Sequence, residues 1–219
     1  MPRVKLVAHT VAVCSLAVGL LASAPASAQT VRLLAFGDSL THGYGLPDGD
    51  TFPDQLEAAL QADGYDIEVL NAGVSGDTTA GGLARVDWAL FDAPDAVLVA
   101  LGANDFLRGI DPATSRDNLA GILDRLQAEG VPALLAGMYA PRNLDETYTT
   151  AFDGMYPDLA EAYDVPLYPF FLNGVALVPD LNQDDGIHPN AAGVAVIVDQ
   201  MAPFVATALI DAGVLSPVE

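Results

Sequence analysis

The amino-acid sequence predicts an α/β fold, a three-layer α/β/α sandwich in which five parallel strands have the order 2-1-3-4-5. Short apolar runs alternate along the chain with longer segments of helical periodicity, which is the pattern of a parallel sheet with helices on both faces. The strand segments are apolar throughout, as expected for strands buried on both faces. Right-handed connections then favour a doubly wound sheet whose first and third strands are neighbours.

The first half of the chain supplies three of the predicted strands and the helices between them. In chain order these are a strand from Val31 into Gly37, a helix over 52–62, a strand over 66–72, a helix over 78–91 and a strand over 96–101. Helical spacing offers five apolar side chains of the 78–91 helix for packing, and we expect the first four of them in the core: Leu83, Val86, Trp88, Leu90 and Phe91.

The second half supplies the other two strands and the closing helix. Asp111 and Pro112 are typical cap and first-turn residues, and they predict the start of a helix that ends at Gly130. A strand over 131–138, a helix over 145–163, a strand over 165–168 and a helix over 190–212 follow. Because Pro166 has no amide hydrogen to donate to a ladder, we expect the last strand to lie at an edge of the sheet.

Residues 1–28 have the three-part layout of a secretory signal peptide. Arg3 and Lys5 precede an apolar run over 6–21, and small residues allow cleavage after Ala28. A retained membrane anchor is the alternative, but the run contains polar residues and is short against the ~20 residues that usually span a bilayer. We therefore expect a periplasmic or secreted protein without a stable membrane anchor, in which residues 29–219 form a single domain.

The chain is strongly acidic, with a formal charge of −21. Removal of residues 1–28 takes away two cations and no acid, which leaves six arginines against 29 carboxylates and a charge of −23. A surface of this kind repels nucleic acid and anionic lipid, so neither is an expected partner. Because Cys14 lies in the predicted leader, the remaining chain can form no disulfide and offers no cysteine chemistry.

Polar turns follow each of the first three strands. Gly37-Asp38-Ser39 comes after the first strand, 73–77 after the second, and Gly102-Ala103-Asn104-Asp105 after the third. The carboxyl ends of parallel strands meet at one edge of a sheet, where open α/β folds keep their ligand crevices. We therefore expect the three turns to line a single crevice.

Ser39 is the candidate nucleophile of this crevice, and a serine nucleophile needs a base. After residue 28 the chain has two histidines, His42 and His188.

Asp185 precedes His188 by three residues, and Gly186 lies between them. The Asp185 carboxylate can therefore turn back and accept the Nδ1 proton of His188, which leaves Nε2 free to act as base. His42 has no such neighbour, and helical spacing points it along the helix rather than at Ser39. We therefore predict a Ser39–His188–Asp185 triad, although a turn residue that caps the last helix would also suit position 188.

Three residues of the crevice are candidate donors to an oxyanion. Gly76 allows close approach of a backbone amide because it has no Cβ atom. Asn104 offers a side-chain amide, and the backbone amide of Ser39 lies at a predicted helix start. Each signal is weak alone, but together, at the ends of neighbouring strands, they indicate acyl transfer.

These same residues resemble the four signature blocks of the SGNH hydrolases, also called GDSL lipases. The blocks are 37–40, Gly76, 102–105 and 185–188, and the similarity covers essentially all of residues 30–210. Further stretches, such as 183–190, are similar to the exported bacterial arylesterase, thioesterase and lysophospholipase branch. The resemblance implies a flavodoxin-like fold, a nucleophile at Ser39, and oxyanion donors at Ser39, Gly76 and Asn104. It also implies that Asp185 and His188 complete the triad. Ala103 stands where this branch often has a second glycine.

The expected substrate is a small-molecule carboxylic ester of a lipid or an aryl alcohol, with thioesters also possible. Segments 138–141 and 175–178 follow predicted element ends and offer apolar side chains for a shallow acyl groove. Four residues near the crevice are candidate substrate contacts: Phe106, Leu107, Arg108 and Tyr139.

Two other functions compete with ester hydrolysis by this reading. A carbohydrate O-deacetylase would use the same triad but needs a polar or aromatic platform for sugar. A flavodoxin-like module that binds a phosphate or cofactor at 37–45 would leave Asn104, Asp185 and His188 without a role. Asp38, Asp105 and Asp184 suit caps and turns better than a metal site. We therefore expect no cofactor, no metal and a monomeric enzyme.

Overall fold

The computed structural model describes Pro2 and residues 30–218 of the chain. The leader predicted over residues 1–28 therefore lies outside the described residues, apart from Pro2. The strands are β1 (Val31–Gly37), β2 (Ile67–Gly73), β3 (Ala96–Ala100), β4 (Ala133–Ala136) and β5 (Leu167–Tyr168). The α-helices are α1 (Ser39–His42), α2 (Phe52–Ala62), α3 (Thr79–Ala89), α4 (Ala103–Leu107), α5 (Pro112–Ala128), α6 (Glu146–Tyr163) and α7 (Ala191–Asp211). Short 3₁₀ turns occupy Leu90–Asp92 and Pro179–Leu181.

The five strands form one parallel sheet in the order β2-β1-β3-β4-β5, which confirms the predicted fold and strand order. In the register of this sheet, Gly37 at the end of β1 faces Gly73 of β2 and Ala100 of β3. The turns that follow these three strands therefore begin side by side at one edge, as expected from the strand order.

The last two strands are shorter than the predicted segments. β4 covers four residues of the predicted 131–138, and β5 covers two of the predicted 165–168. Pro166 lies just before β5 and takes part only through its carbonyl, which accepts the Leu135 amide at 2.9 Å. β5 is an edge strand, as the proline predicted.

The core contains most of the predicted apolar positions, but the prediction for Trp88 was wrong. Val86 of α3 is 3% exposed, whereas Trp88 is 72% exposed. A helix turns by about 100° per residue, so a side chain two positions after Val86 lies on the opposite face. Leu83 and Leu90 are partly buried and pack against the core. Phe91, in the following 3₁₀ turn, is 82% exposed.

The closing helix α7 is the most apolar helix of the fold. Its length and hydropathy would allow it to cross a membrane, yet more than half of its most apolar window is buried inside the domain. Met201, Val205 and Leu209 are fully buried, and the helix packs against α2. These contacts identify α7 as a core helix of the sandwich. Asn190 is the N-cap of α7, and His188 lies two residues before it. The buried helix therefore positions the loop that carries His188.

Candidate active site

Ser39 lies at the end of β1, in the first turn of the short helix α1. Asp38 is the N-cap of this helix, and its Oδ1 accepts the Leu40 amide at 3.0 Å. A capping carboxylate satisfies an amide that has no partner inside the helix, which stabilises the sharp turn from strand to helix. Ser39 is thereby held on the wall of a cavity at the carboxyl edge of the sheet.

His188 reaches Ser39 from the loop that precedes α7, 149 residues further along the chain. Its Nε2 lies 3.0 Å from Ser39 Oγ, and its Nδ1 lies 2.7 Å from Asp185 Oδ2. A carboxylate at Nδ1 favours the tautomer that carries a proton there, so that Nε2 can accept the hydroxyl proton. The structure thus brings the three residues of the predicted triad within hydrogen-bond distance in the order that proton transfer requires.

Asp185 is oriented by a tight turn through Gly186. Its Oδ1 accepts the backbone amides of Ile187 at 2.9 Å and His188 at 3.0 Å, while Oδ2 faces the imidazole. The His188 amide, the His188 imidazole and then the Ile187 amide lower the pKa of Asp185 to about 2. The carboxylate is therefore ionised at neutral pH and can stabilise an imidazolium at His188.

An aromatic side chain packs against the imidazole of His188. The ring of Tyr44 lies against that of His188, with centroids 4.5 Å apart and planes tilted by 37°. This contact was missed at the level of sequence, where nothing distinguishes Tyr44 from any other exposed aromatic residue. His42 is exposed, so the imidazole that faces Ser39 belongs to His188.

The predicted oxyanion donors line the same cavity as Ser39. Gly76 follows β2 with φ of +82°, a conformation that favours glycine, and Asn104 lies in the first turn of α4. Asn104 Nδ2 donates a hydrogen bond to Asp38 Oδ2 at 3.2 Å, which joins the ends of β3 and β1. Amide donors of these kinds, held by rigid elements, can stabilise negative charge on an oxygen next to the serine.

Asp38 is the buried acid of this site, with 1% of its surface exposed. Burial raises its pKa to about 6, and hydrogen bonds from the Leu40 amide and the Asn104 side chain oppose this rise. Charge on His188 also opposes the rise, whereas Asp77 adds to it. Asp38 is thus a carboxylate whose charge at neutral pH depends on its two hydrogen-bond donors.

A cavity of about 460 Å³ opens beside Ser39 and His188. Phe106 and Leu107 line it, and so do Met138, Pro141, Ala176 and Leu177 from the two segments predicted to form an acyl groove. Leu40, Leu172 and Ile187 complete its apolar wall. Leu40 lies in the short helix α1, and Leu172 and Ile187 lie in loops; periodicity does not report which of these side chains face the cavity.

Arg108 and Tyr139, the other two candidate substrate contacts, are not among the described residues of the cavity wall. Arg108 Nη2 donates to the Gly76 carbonyl instead. Tyr139 stacks on Phe170, with centroids 4.7 Å apart and planes tilted by 24°. The structure therefore places both residues beside the site, where they contact protein groups.

The other acids near the crevice have structural partners or face solvent. Asp105 is fully buried and accepts hydrogen bonds from the amide and hydroxyl of Thr79 and from the hydroxyl of Ser115. Asp38 caps α1, and Asp184 is exposed. Within residues 30–218, no group of three histidine, cysteine or acidic side chains is arranged to hold a metal ion.

A serine beside an imidazole and a carboxylate, at the carboxyl edge of a doubly wound sheet, is the layout of the α/β serine hydrolases. A sequence profile of the GDSL-like lipase/acylhydrolase family matches residues 35–196. The chain belongs to this family, which confirms the resemblance noted from its motifs.

Individual relatives agree with this membership. An arylesterase of Vibrio mimicus is 41% identical over 75% of this chain and 82% of its own length. Thioesterase 1/protease 1/lysophospholipase L1 of Escherichia coli is 42% identical over 80% of this chain and 84% of its own length. The crystal structure of AlinE4, an esterase of the SGNH-hydrolase family, is 50% identical, with a TM-score of 0.70 over 84% of this chain and 99% of AlinE4.

Proposed function

We propose that the protein is a serine esterase that hydrolyses carboxylic esters with an apolar acyl group through an acyl-enzyme on Ser39. The observation that carries the proposal is the relay from Ser39 Oγ to His188 Nε2, at 3.0 Å, and from His188 Nδ1 to Asp185 Oδ2, at 2.7 Å. This relay opens onto an apolar cavity, so a reacting carbonyl and its acyl chain can be bound together.

In the first half of the reaction, His188 Nε2 takes the Ser39 proton as Oγ attacks the ester carbonyl. The negative oxygen of the tetrahedral intermediate is stabilised by the amides of Ser39 and Gly76 and the side chain of Asn104. The C–O bond to the alcohol then breaks, and imidazolium at His188 donates its proton to the leaving oxygen. Asp185 stabilises that imidazolium without being protonated, consistent with the low pKa of its carboxyl group.

In the second half, water replaces the alcohol. His188 takes a proton from the water as its oxygen attacks the acyl carbonyl on Ser39, and the same donors stabilise the second tetrahedral intermediate. The bond to Oγ breaks, Oγ recovers its proton from His188, and the free carboxylic acid leaves. Apart from the ester and the water, each step uses groups of this chain, and no cofactor is required.

The cavity wall supports acyl and aryl esters over the competing substrates. Its side chains are mainly aliphatic, among them Leu40, Met138, Leu172 and Ile187, which favours a hydrocarbon chain over the hydroxyl groups of a sugar. Relatives named arylesterase and lysophospholipase support the same class, and the name thioesterase extends the proposal to thioesters. A phosphate- or cofactor-binding module gains no support, since the relay would have no role in it.

We also propose that the enzyme is exported and acts as a monomer of residues 29–219 after cleavage following Ala28. The charged, apolar and small-residue regions of 1–28 support export. Intact mass of enzyme from the periplasmic or culture fraction tests the cleavage site, and sedimentation of that enzyme tests the monomer.

The proposed chemistry is tested with p-nitrophenyl esters of increasing chain length and with a fluorophosphonate. We expect turnover of these esters, labelling of one residue per chain, and a labelled peptide that contains Ser39. Ser39→Ala should lose both turnover and labelling while it keeps the circular dichroism spectrum of the parent. Full activity in Ser39→Ala would overturn the assignment of the nucleophile.

A further inference from the structure

Arg85 of α3 makes three hydrogen bonds behind the proposed oxyanion site. Its Nε donates to Asp77 Oδ2 at 2.7 Å, its Nη1 to the Ala72 carbonyl at 3.0 Å, and its Nη2 to the Gly37 carbonyl at 2.9 Å. One planar guanidinium thus joins the carboxyl ends of β1 and β2 and the loop that follows β2.

The acceptors lie next to the residues that the proposed reaction needs. Gly37 precedes Ser39 by two positions, and Asp77 directly follows Gly76. The Gly37 carbonyl also accepts the Val74 amide at 3.0 Å, so β1 and the Gly76 loop are already joined at this point. Arg85 adds a side-chain connection across the same junction.

The position of this guanidinium is fixed by burial and by close packing. The side chains of Arg85 and Asp77 are 18% and 13% exposed, and Arg85 Cζ lies 4.0 Å above the centre of the buried Phe36 ring. Asp77 Oδ1 lies over Gly81, where an added Cβ would come within 1.7 Å of it. An ion pair enclosed in this way holds one geometry better than an exposed pair does.

We propose that Arg85 is a positioning residue that sets the distance between Ser39 and the Gly76 amide, and so maintains the oxyanion site. The proposal rests on the proposed function, because it needs Ser39 as nucleophile and Gly76 as donor. Arg85 does not line the cavity and acts through Gly37, Ala72 and Asp77. Its loss would let the Gly76 loop shift relative to β1, and a shift of about 1 Å at a reacting group can cost about 10²-fold in rate.

The chemistry of the contact requires arginine rather than any cation. Three acceptors around the edge of one plane match the fork of a guanidinium, whereas a lysine ammonium is a single point charge on a flexible stem. Arg85→Lys therefore keeps the charge beside Asp77 but cannot hold both carbonyls in the same geometry. Comparison of Arg85→Lys with the parent therefore separates a geometric role of Arg85 from a purely electrostatic one.

The experiment compares the parent with Arg85→Lys and Arg85→Gln, using p-nitrophenyl butyrate as substrate and butylboronic acid as a mimic of the tetrahedral intermediate. Active sites are counted by complete fluorophosphonate labelling, so that rates refer to competent enzyme. In both variants we expect kcat to fall by about 10²-fold with little change in KM, and affinity for the boronic acid to fall by a similar factor. The fall in kcat caused by each Arg85 substitution should be much smaller in an Asn104→Ala background, because both substitutions would impair the same oxyanion site.

Arg125→Gln is the matched control, since Arg125 of α5 forms exposed ion pairs with Asp87 of α3 and with Glu129 and does not line the cavity. It should leave all three quantities unchanged. If Arg85→Gln fails to fold, Asp77→Asn tests the same junction. This variant weakens the contact of Arg85 with Asp77 and leaves Arg85 its two carbonyl acceptors. Normal kcat per labelled site in Arg85→Lys, or a loss explained by fewer competent sites alone, would overturn the proposal. An active Ser39→Ala would instead overturn the proposed function.

Discussion

The carboxylate of Asp38 joins the nucleophile turn to the side chain of Asn104. Its Oδ2 accepts Asn104 Nδ2 at 3.2 Å, and its Oδ1 accepts the Leu40 amide at 3.0 Å. Because a carboxylate only accepts, this pair of bonds decides which end of the Asn104 amide faces Asp38 and leaves the second Nδ2 hydrogen for another acceptor. Asp38 thereby couples the cap of α1 to the donor on α4.

Asp38→Asn should lower kcat without removing the fold. The new side chain can keep its oxygen on the Leu40 amide, but its NH₂ group then faces Asn104 Nδ2, so the Asn104 amide must flip or move. Loss of one oxyanion donor costs about 10²–10³ in turnover in other hydrolases, and we expect a fall of this size with little change in KM. Steady-state kinetics of Asp38→Asn, Asn104→Ala and the double variant check this. A double variant much slower than Asn104→Ala would contradict the coupling.

Asp38 should also make stability depend on pH. Burial raises its pKa from 3.8 to about 6 in the native state, so between these values the native protein binds more protons than the unfolded chain. The Asp38 contribution to the free energy of unfolding is therefore fully present below about pH 4 and is lost as the pH rises through about 6. The loss is on the order of 2–3 kcal/mol, from about two pKa units at ~1.4 kcal/mol each.

Denaturant unfolding of the parent and Asp38→Asn from pH 4 to 8 measures this contribution. The variant should gain stability relative to the parent as the pH rises, because it has no carboxyl group to ionise. Asp48→Asn, on an exposed residue, controls for the loss of one acid from the chain. A parent–variant difference that does not change with pH would rule out the predicted titration.

His188→Ala and His42→Ala should differ sharply in activity. Of the two histidines among the described residues, His188 lies at Ser39, with Nε2 at 3.0 Å from Oγ, while His42 is exposed. Loss of the base in another serine hydrolase costs about 10⁶-fold in kcat, so we expect a loss of roughly 10⁴–10⁶-fold for His188→Ala. His42→Ala should keep near-parental kcat/KM. The comparison is made on p-nitrophenyl butyrate, and an inactive His42→Ala with an active His188→Ala would reassign the base.

Asp185→Asn should inactivate the enzyme through the tautomer of His188. The asparagine oxygen can replace Oδ1 and keep both backbone bonds of the turn, which directs its NH₂ group at Nδ1. Nδ1 must then accept, the ring proton moves to Nε2, and Nε2 can no longer take the proton of Ser39. The matching change in a serine protease costs about 10⁴-fold in kcat, and we expect a similar loss. The fold should persist, as judged by circular dichroism, and ring-nitrogen NMR shifts of His188 should report the change of tautomer.

Much of the fold could be predicted from the sequence because its signals are local. Buried strands such as β3 are continuously apolar, and caps such as Asp111 and Asn190 mark helix starts that the structure reproduces within a residue or two. The strand order follows from handedness and short connections, so the turns at Ser39 and Asn104 were expected at one edge.

Other features depend on contacts between distant segments and left no local signal. Tyr44 lies against His188, and Tyr139 stacks on Phe170, only because two loops meet in space. The guanidinium of Arg85 joins three segments of the chain, and no local sequence pattern reports such a contact. Trp88 was misassigned for a different reason. The prediction relied on its apolar side chain and not on its position on the helix face opposite Val86.

Leu177 should control the preference for long acyl chains. It lies on the cavity wall, is 91% exposed, and has φ of +62°, a left-handed conformation that costs a non-glycine residue of order 1 kcal/mol or more. Asparagine tolerates this conformation, so Leu177→Asn should fold at least as well as the parent. It removes an apolar surface from the outer part of the cavity, where the far end of a long chain would pack. At about 0.8 kcal/mol for each methylene left unburied, we expect kcat/KM for octanoate and decanoate esters to fall by about tenfold. The acetate ester should be unaffected, because its acyl group ends next to Ser39.

Trp88→Asn is the control, since Trp88 is also highly exposed but is absent from the cavity wall. An equal loss for all chain lengths in Leu177→Asn would show that the residue acts on the catalytic groups rather than on the acyl chain.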